Sequence, residues 1–483
     1  MNYRMVAYSV GRITAMASAL MLLPLFVALY YDESIKGFLI AIAVGAVLSA
    51  LAVLFSKPKN RQIFSKEGFV TVSLSWIIIS LIGAIPFTVE GEIPSYIDAI
   101  FETVSGFTTT GASILENVEA LSRGLLFWRS FTHWLGGMGI IVLMLAVFPL
   151  SNKYSMYIMK AEVPGPVKGK LVPKMQDSSV ILYMIYVALT AFEIIFLLIG
   201  KMPLYDAILH SFGTAGTGGF GIKSLSVGYY NSAYIDIVIG IFMALFGVNF
   251  NMYFLLLMKK YKTVIKNEEL LWYIGIIAFS TVTIAVNIKS LYGSFFTSLR
   301  YSFFQVSSIV TTTGFSTADF NRWPEYSKML LVLLMFIGGC AGSTGGGIKV
   351  ARIIMMKNTA KSEVKHMLRP RSYNQTKLNG EVLDKQTIHG TLVFFLLYIF
   401  IILISCFLLS LENFDAVTTV TGVIACVSNI GPGLSLVGPM GSFAIFSPAA
   451  KLLLSFCMLL GRLEIFPVLL LFSPYTWKKS SRF

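Results

Sequence analysis

Long apolar runs separated by short polar stretches dominate the chain. Ten of these runs approach the length of a bilayer crossing: 8–30, 35–56, 70–89, 126–150, 179–200, 232–258, 269–288, 327–356, 388–410 and 447–473. A helix of ~20 apolar residues crosses a hydrocarbon core ~30 Å thick, so each run predicts a membrane-spanning helix. The first follows Arg4 and Arg12 and is too long for a signal-peptide core, so an uncleaved helix is expected.

A second pattern lies between the runs. One unit recurs four times: spanning helix, short apolar stretch, Gly-containing turn, spanning helix. The turns are 107–113 around Gly111, 214–221 with Gly216, Gly218 and Gly219, 310–317 around Gly314, and 427–433 around Gly431. Asp98 and Asp206 each stand thirteen residues before a glycine, at Gly111 and Gly219; Asp415 stands slightly further back in the fourth copy, and the third has no such Asp. The ~10 apolar residues between Asp and turn are too few to span and enough for a re-entrant half-helix. An Asp near its start suits a helix N-terminus. The expected fold is all-α integral membrane, with two N-terminal helices (1–66) and four helix–pore loop–helix repeats (67–174, 175–266, 267–385, 386–483) around a central pore.

Non-helical backbone at membrane depth survives only inside protein or against a watery cavity. Backbone carbonyls there replace the hydration shell of a cation without a full charge that would trap it. Glycine permits the positive φ that turns a carbonyl toward an axis, and threonine hydroxyls add oxygens. Small residues also serve close helix packing in membranes, but four copies at similar depth favour a short cation filter.

Composition narrows the class. Of 483 residues 56% are hydrophobic and 13% charged, with mean hydropathy +0.75, which excludes a soluble enzyme. The net charge of +14 does not indicate nucleic acid, because its basic residues sit in alternate loops. These hold Lys57, Lys59, Arg61 and Lys66; Lys153, Lys160, Lys168, Lys170 and Lys174; Lys259, Lys260, Lys262 and Lys266; 349–385; and Lys478, Lys479 and Arg482. The positive-inside rule then places both termini in the cytoplasm. The opposite loops carry Asp32, Glu33, Glu90, Glu92, Glu116, Glu119, Asp319, Glu325 and Glu412. They act either as a funnel for cations or as what remains once Lys and Arg are excluded. Cys340, Cys406, Cys426 and Cys457 are isolated and read as small buried hydrophobes. His133 and Trp134 are expected to position a helix, and Glu193 reads either as a proton site or as packing. Four scattered histidines and the absence of Gly-Lys-Ser/Thr argue against an enzyme, an ATPase or an organic cofactor.

Two further features suggest a gate. Six glycines fall within 338–347, inside one predicted helix, and each costs ~1 kcal/mol against Ala, so the helix should break there. The alternative is tight helix packing. Arg462 lies well inside the last helix, where a charge costs at least ~2.5 kcal/mol. It either opposes cations in a pore, snorkels to the interface, or ties to Glu464. Lys451, near the other end of that helix, reads as interfacial. The basic stretch 357–385 is a docking surface for a cytosolic partner or anionic membrane lipid, or a plain connector.

With the four turns, the segments Phe131-Thr132-His133-Trp134-Leu135-Gly136-Gly137-Met138-Gly139, Gly338–Lys349 and Gly431-Pro432-Gly433-Leu434 resemble the TrkH/KtrB family of potassium-translocating subunits. The resemblance covers residue 70 onward, and the two extra helices match the TrkH branch. It implies a channel-like K⁺ uptake pore in a bacterial cytoplasmic membrane, a homodimer, and a cytosolic nucleotide-binding ring of the TrkA or KtrA kind. It makes Gly111, Gly219, Gly314 and Gly431 the filter glycines, flanked by Thr109, Thr110, Gly218, Thr312, Thr313, Asn429 and Ile430. It makes Gly342, Gly345, Gly346 and Gly347 a loop that blocks the pore beside Arg462. The register of the second turn stays open by one residue. A symporter coupling K⁺ to Na⁺ or H⁺ is the alternative, resting on Glu193 and Glu464.

Overall fold

The computed structural model describes residues 1–58, 64–139, 175–370 and 375–477. The later half of the predicted span 126–150 lies outside these residues. So do Lys59, Arg61, Lys153, Lys160, Lys168, Lys170, Lys174, Lys478, Lys479 and Arg482.

Helices make up most of it. α1 (Tyr3–Leu20) runs through Met21 into α2 (Leu22–Tyr30), and α3 (Lys36–Phe55) and α4 (Ser65–Val89) pack on α1. The short α5 (Tyr96–Phe107) leads to α6 (Arg123–Gly137). α7 (Met175–Ile199), the short α8 (Leu204–Gly216), α9 (Ala233–Phe246) and α10 (Phe250–Leu257) follow. Next come α11 (Tyr261–Ile265), α12 (Glu268–Asn287), α13 (Lys289–Tyr292), α14 (Phe295–Val310), α15 (Glu325–Ile337) and α16 (Val350–Leu368). A two-stranded antiparallel hairpin, β1 (Lys377–Leu378) and β2 (Glu381–Val382), precedes α17 (Lys385–Leu409) and α18 (Ala416–Ser428). α19 (Pro448–Arg462), α20 (Phe466–Phe472) and α21 (Pro474–Trp477) complete the described elements.

Among the described residues six segments are long and apolar enough to cross a membrane: Tyr3–Tyr30, Lys36–Phe55, Ser65–Val89, Ser179–Ile199, Glu268–Asn287 and Lys385–Glu412. Their outer faces are apolar. On α17 Leu396, Phe400, Leu403 and Phe407, at helical spacing, are 68%, 59%, 62% and 74% exposed. Polar residues lie within: Thr108, Thr110, His133, Ser308 and Ser428 are fully buried. This inversion of the soluble pattern is what a hydrocarbon solvent demands.

Three of the ten runs are broken, two of them expected to be continuous. The run 232–258 turns by 90° between α9 and α10. There Asn249 accepts the Asn251 N–H at 2.9 Å, capping a new helix instead of continuing the old one. The run 447–473 breaks at 463–465, with Glu464 and Ile465 at φ 52° and 68°. Pro467 lacks the N–H and its ring crowds the preceding turn, which stops the helix from continuing. The break expected in 327–356 is present: α15 ends at Gly338, and 338–349 is non-helical with Gly338, Gly342 and Gly347 all at φ 75°.

Candidate functional site

The short helices α5, α8, α14 and α18 end alike. Each closes on a left-handed residue: Thr109 (φ 54°), Thr217 (54°), Thr312 (60°) or Asn429 (57°). In the first, Thr109 N–H donates to Gly106 O at 3.1 Å and Thr110 N–H to Ser105 O at 2.9 Å. The same pair of bonds runs from Thr217 and Gly218 to Thr214 and Gly213, from Thr312 and Thr313 to Ile309 and Ser308, and from Asn429 and Ile430 to Cys426 and Ala425. This is the Schellman closure, which normally takes Gly or Asn at the left-handed position. A β-branched threonine there stores about 1–3 kcal/mol of strain. Two residues on, a glycine again has positive φ: Gly111 (81°), Gly219 (76°), Gly314 (86°) and Gly431 (95°). The repetition settles the second turn. Gly219 corresponds to Gly111, and Thr217, absent from the sequence candidates, corresponds to Thr109.

The turns close on one another. A methyl group on Gly111 would lie 2.0 Å from the carbonyl oxygen of Gly218, and one on Gly219 2.0 Å from that of Thr313. One on Gly314 would lie 2.1 Å from Ile430 O, and one on Gly431 2.7 Å from Thr110 O. Each glycine therefore abuts the carbonyl just before the next glycine, and the fourth turn returns to the first. The hydroxyls expected to supply further oxygens are largely committed to bracing. Thr110 Oγ1 bonds Thr108 Oγ1 at 2.8 Å and accepts from Asn429 Nδ2 at 2.9 Å. Thr313 Oγ1 bonds Thr311 Oγ1 at 2.7 Å.

Buried polar groups hold the turns from behind. Glu102 on α5 accepts from Ser113 Oγ at 2.9 Å and Ile114 N at 3.0 Å, and pairs with Arg129 Nε at 2.6 Å. Arg129 Nη1 donates to Gly221 O at 2.8 Å, so one buried ion pair grips the outgoing ends of two turns. Both residues escaped the sequence candidates, although each is ionisable within an apolar stretch. His133 Nδ1 lies 2.8 Å from Gly106 O and its ring fills the space a side chain on Gly218 would need, a positioning role as expected.

The Gly-rich stretch lies directly against the third and fourth turns. Gly346 N–H donates to Thr312 Oγ1 at 2.6 Å. Methyl groups on Gly345 and Gly346 would lie 2.8 Å from Thr311 O and 2.5 Å from Ser428 O. The glycines thus serve close backbone approach by an unwound segment, not helix–helix packing. The bend at 247–249 receives this segment: Cys340 N–H donates to Gly247 O at 2.9 Å, and Phe250 N–H to Gly342 O at 3.1 Å. Arg462 Nη1 donates to Thr344 O at 2.7 Å, and Nη2 to Gly136 O at 2.5 Å and Gly137 O at 2.6 Å. The Glu464 carboxylate pairs with Arg352, not in the arrangement with Arg462 that the sequence left open. A cavity is lined by Gly137, Met138, Gly342, Gly345, Gly346, Gly347, Lys349 and Arg462.

Other expectations change. Lys451, expected at the interface, is buried against protein, and its Nζ meets Asp98 Oδ1 at 2.7 Å. Asp98 therefore does not cap α5, which Ser95 caps; Asp206 accepts from the Tyr230 hydroxyl at 2.7 Å, and only Asp415 caps its helix, through Thr418 N at 3.0 Å. Those Thr418 bonds hold the Asp415 carboxyl below its ordinary range. Several loop acids also have local work. Glu33 accepts from Arg123 N and Gly124 N at 2.8 Å each, Glu92 from Ser122 N at 2.8 Å, and Glu412 from Ser447 N at 3.1 Å. They close helix starts, which neither the funnel nor the default reading anticipated. The fully buried Glu193 has the Thr214 hydroxyl as a neighbour, but no well-formed hydrogen bond reaches either carboxylate oxygen among the described residues.

Residues 32–297 and 270–479 match the family model described as TrkH, cation transport protein. A Trk system potassium uptake protein TrkH of Salmonella typhimurium is 36% identical over 99% of this chain and all of its own length. The potassium uptake protein TrkG of Escherichia coli is 34% identical over 99% of both chains. The crystal structure of the potassium transporter TrkH from Vibrio parahaemolyticus superposes with a TM-score of 0.89 at 31% identity, covering 99% of this chain and 100% of that one.

Proposed function

The chain belongs to the TrkH family of cation transport proteins, and from that premise we propose that it takes up potassium through a channel-like pore in a bacterial inner membrane. The observation that carries the reading is the ring of four turns, in which each positive-φ glycine abuts the carbonyl of the next. A dehydrated K⁺ on the ring axis would exchange water for the carbonyls of Thr110, Gly218, Thr313 and Ile430. The Schellman closures spend the local N–H groups on their own helices, which leaves oxygens to face the ion. Each short helix points its C-terminal end, the negative end of its dipole, at the ring.

The Gly-rich segment is the gate in this reading. It lies against Thr311, Thr312 and Ser428, where an extended backbone obstructs an ion leaving the ring. Arg462 holds it by Thr344 O and places a positive charge beside the path. A cytosolic nucleotide-binding ring of the TrkA or KtrA kind would control the segment, the chain would assemble as a homodimer, and both termini would lie in the cytoplasm. Coupled symport draws its support from Glu193, a carboxyl fully buried within a spanning helix.

The test is cation flux into proteoliposomes of the purified chain under K⁺ and Na⁺ gradients, comparing wild type with Gly314→Ser and Arg462→Ala. Gradient-driven K⁺ flux, lost K⁺/Na⁺ discrimination in the glycine variant and faster flux in the arginine variant are expected. A Gly314→Ser protein that behaves as wild type would overturn the filter assignment.

A further inference from the structure

Glu269 has no counterpart among the residues that sequence reading singled out. It occupies the first turn of α12, which Asn267 caps by accepting the Leu270 N–H at 2.9 Å. Its side chain is buried, and a single oxygen, Oε1, accepts the Ala341 N–H at 2.6 Å and the Ala351 N–H at 3.2 Å. Ala341 stands inside the Gly-rich segment and Ala351 just beyond it. One carboxylate oxygen therefore ties both ends of the unwound stretch to a different helix from the one bearing Arg462.

The neighbouring Glu268 faces the hairpin. Its N–H donates to Asn379 Oδ1 at 2.7 Å, and the Asn379 N–H donates back to Glu268 Oε2 at 3.2 Å. The same hairpin is fixed to α16 through Asn358 Nδ2 and Lys377 O at 3.0 Å. The start of α12 and the helix leaving the Gly-rich segment are thus joined twice, by Glu269 within the protein and by the hairpin at its edge.

We propose that Glu269 is a positioning residue for the gate, a latch that holds the Gly-rich segment closed, and that the hairpin 377–382 sets the position of this latch. The inference rests on the gate reading above. Hydrogen bonds from N–H to a carboxylate are about twice as strong as neutral ones. Without the acceptor two buried N–H groups go unpaired, a cost relieved only if the segment swings toward water.

Cys340 reports on the latch, since it is in the segment and buried. The experiment uses full-length protein in liposomes with Cys406, Cys426 and Cys457 replaced by Ser. A water-soluble methanethiosulfonate is added, and Cys340 modification and K⁺ flux are followed together. Glu269→Ala should speed modification by about tenfold, the equivalent of roughly 1.4 kcal/mol of lost bonding, and raise flux with K⁺/Na⁺ discrimination intact. Glu269→Gln keeps an acceptor at Oε1 and should stay near wild type, a rescue that general loosening would not give. The double variant Glu268→Gln/Asn379→Ala, which leaves Glu269 in place, should give an intermediate rate and decides the matter if Glu269→Ala does not fold. Wild-type Cys340 modification in both Glu269→Ala and the double variant overturns the latch. Arg462→Ala in the same assay separates the two ideas. If it raises flux while the Glu269 variants do not, only the latch fails; if it does not, the gate reading itself fails.

Discussion

Placing one methyl group on Gly219 should disable the ring without unfolding the protein. The added Cβ would stand 2.0 Å from Thr313 O and 3.0 Å from the carbonyl carbon of Gly314, both backbone atoms of the adjoining turn, so no side chain can swing aside. Ordinary contact needs more than an ångström of extra separation. The residue also sits at φ 76°, which an L side chain adopts at about 1–3 kcal/mol. Overpacking adds roughly another 1–3 kcal/mol. A native domain commonly holds about 5–15 kcal/mol, so the turn distorts before the fold is lost. The assay is K⁺ against Na⁺ flux in proteoliposomes, with thermal unfolding of the detergent-solubilised protein alongside. Gly275→Ala is the control: nothing lies within 4 Å of its added methyl, it is mid-helix in α12, and it should stabilise by up to about 1 kcal/mol with flux unchanged. Gly431→Ala should be the mildest of the four ring variants, because its nearest oxygen is 2.7 Å away. Wild-type rate and discrimination in Gly219→Ala would refute the reasoning.

Other expectations follow from the surroundings of the ring. Arg129→Met leaves Glu102 charged and buried, and should cost about 3–5 kcal/mol in unfolding experiments, with the double replacement Glu102→Leu/Arg129→Met recovering much of it. Lys451→Met should cost less than Arg129→Met in the same measurement, since Asp98 is 25% exposed and reaches water. Asn429→Leu removes two bonds, to Thr110 Oγ1 and Met458 O, worth about 0.5–1.5 kcal/mol each, and should impair K⁺ discrimination in the flux assay. The Asp415 carboxyl is depressed below its ordinary 3.8, so its cap on α18 is fully present above that value and is lost as pH falls through the lower folded value. Asp415→Asn should flatten the fall in thermal stability under acid.

What the sequence disclosed followed from local chemistry. Runs of twenty apolar residues announce spanning helices whatever surrounds them, and the glycines of 338–347 announce a break because each one weakens a helix on its own. The turn glycines were visible for the same reason. In the second turn three glycines leave the register open by one residue in the sequence, and the helix closure at Thr217 with the contact at Thr313 selects Gly219. The bend at Gly247–Asn249 was hidden because the run stays apolar through it; Cys340 and Gly342, far along the chain, complete its hydrogen bonds. Long-range pairs were hidden more thoroughly. Nothing near Lys451 hints at Asp98, nor anything near Glu269 at Ala341, since each partner is assigned by the packing of helices and not by neighbours in the chain.

The ring has a further consequence because one chain supplies all of it. A ring of identical subunits changes every quadrant when one codon changes, so any substitution arrives in fourfold dose. Here each quadrant is a separate genetic locus, and the dose is one in four. Position 429 already shows the freedom this gives: asparagine occupies the left-handed corner where the other three turns carry threonine, and it reaches across to its neighbour at Thr110. Such a ring can drift toward asymmetry one corner at a time, each step tested while three corners remain as they were.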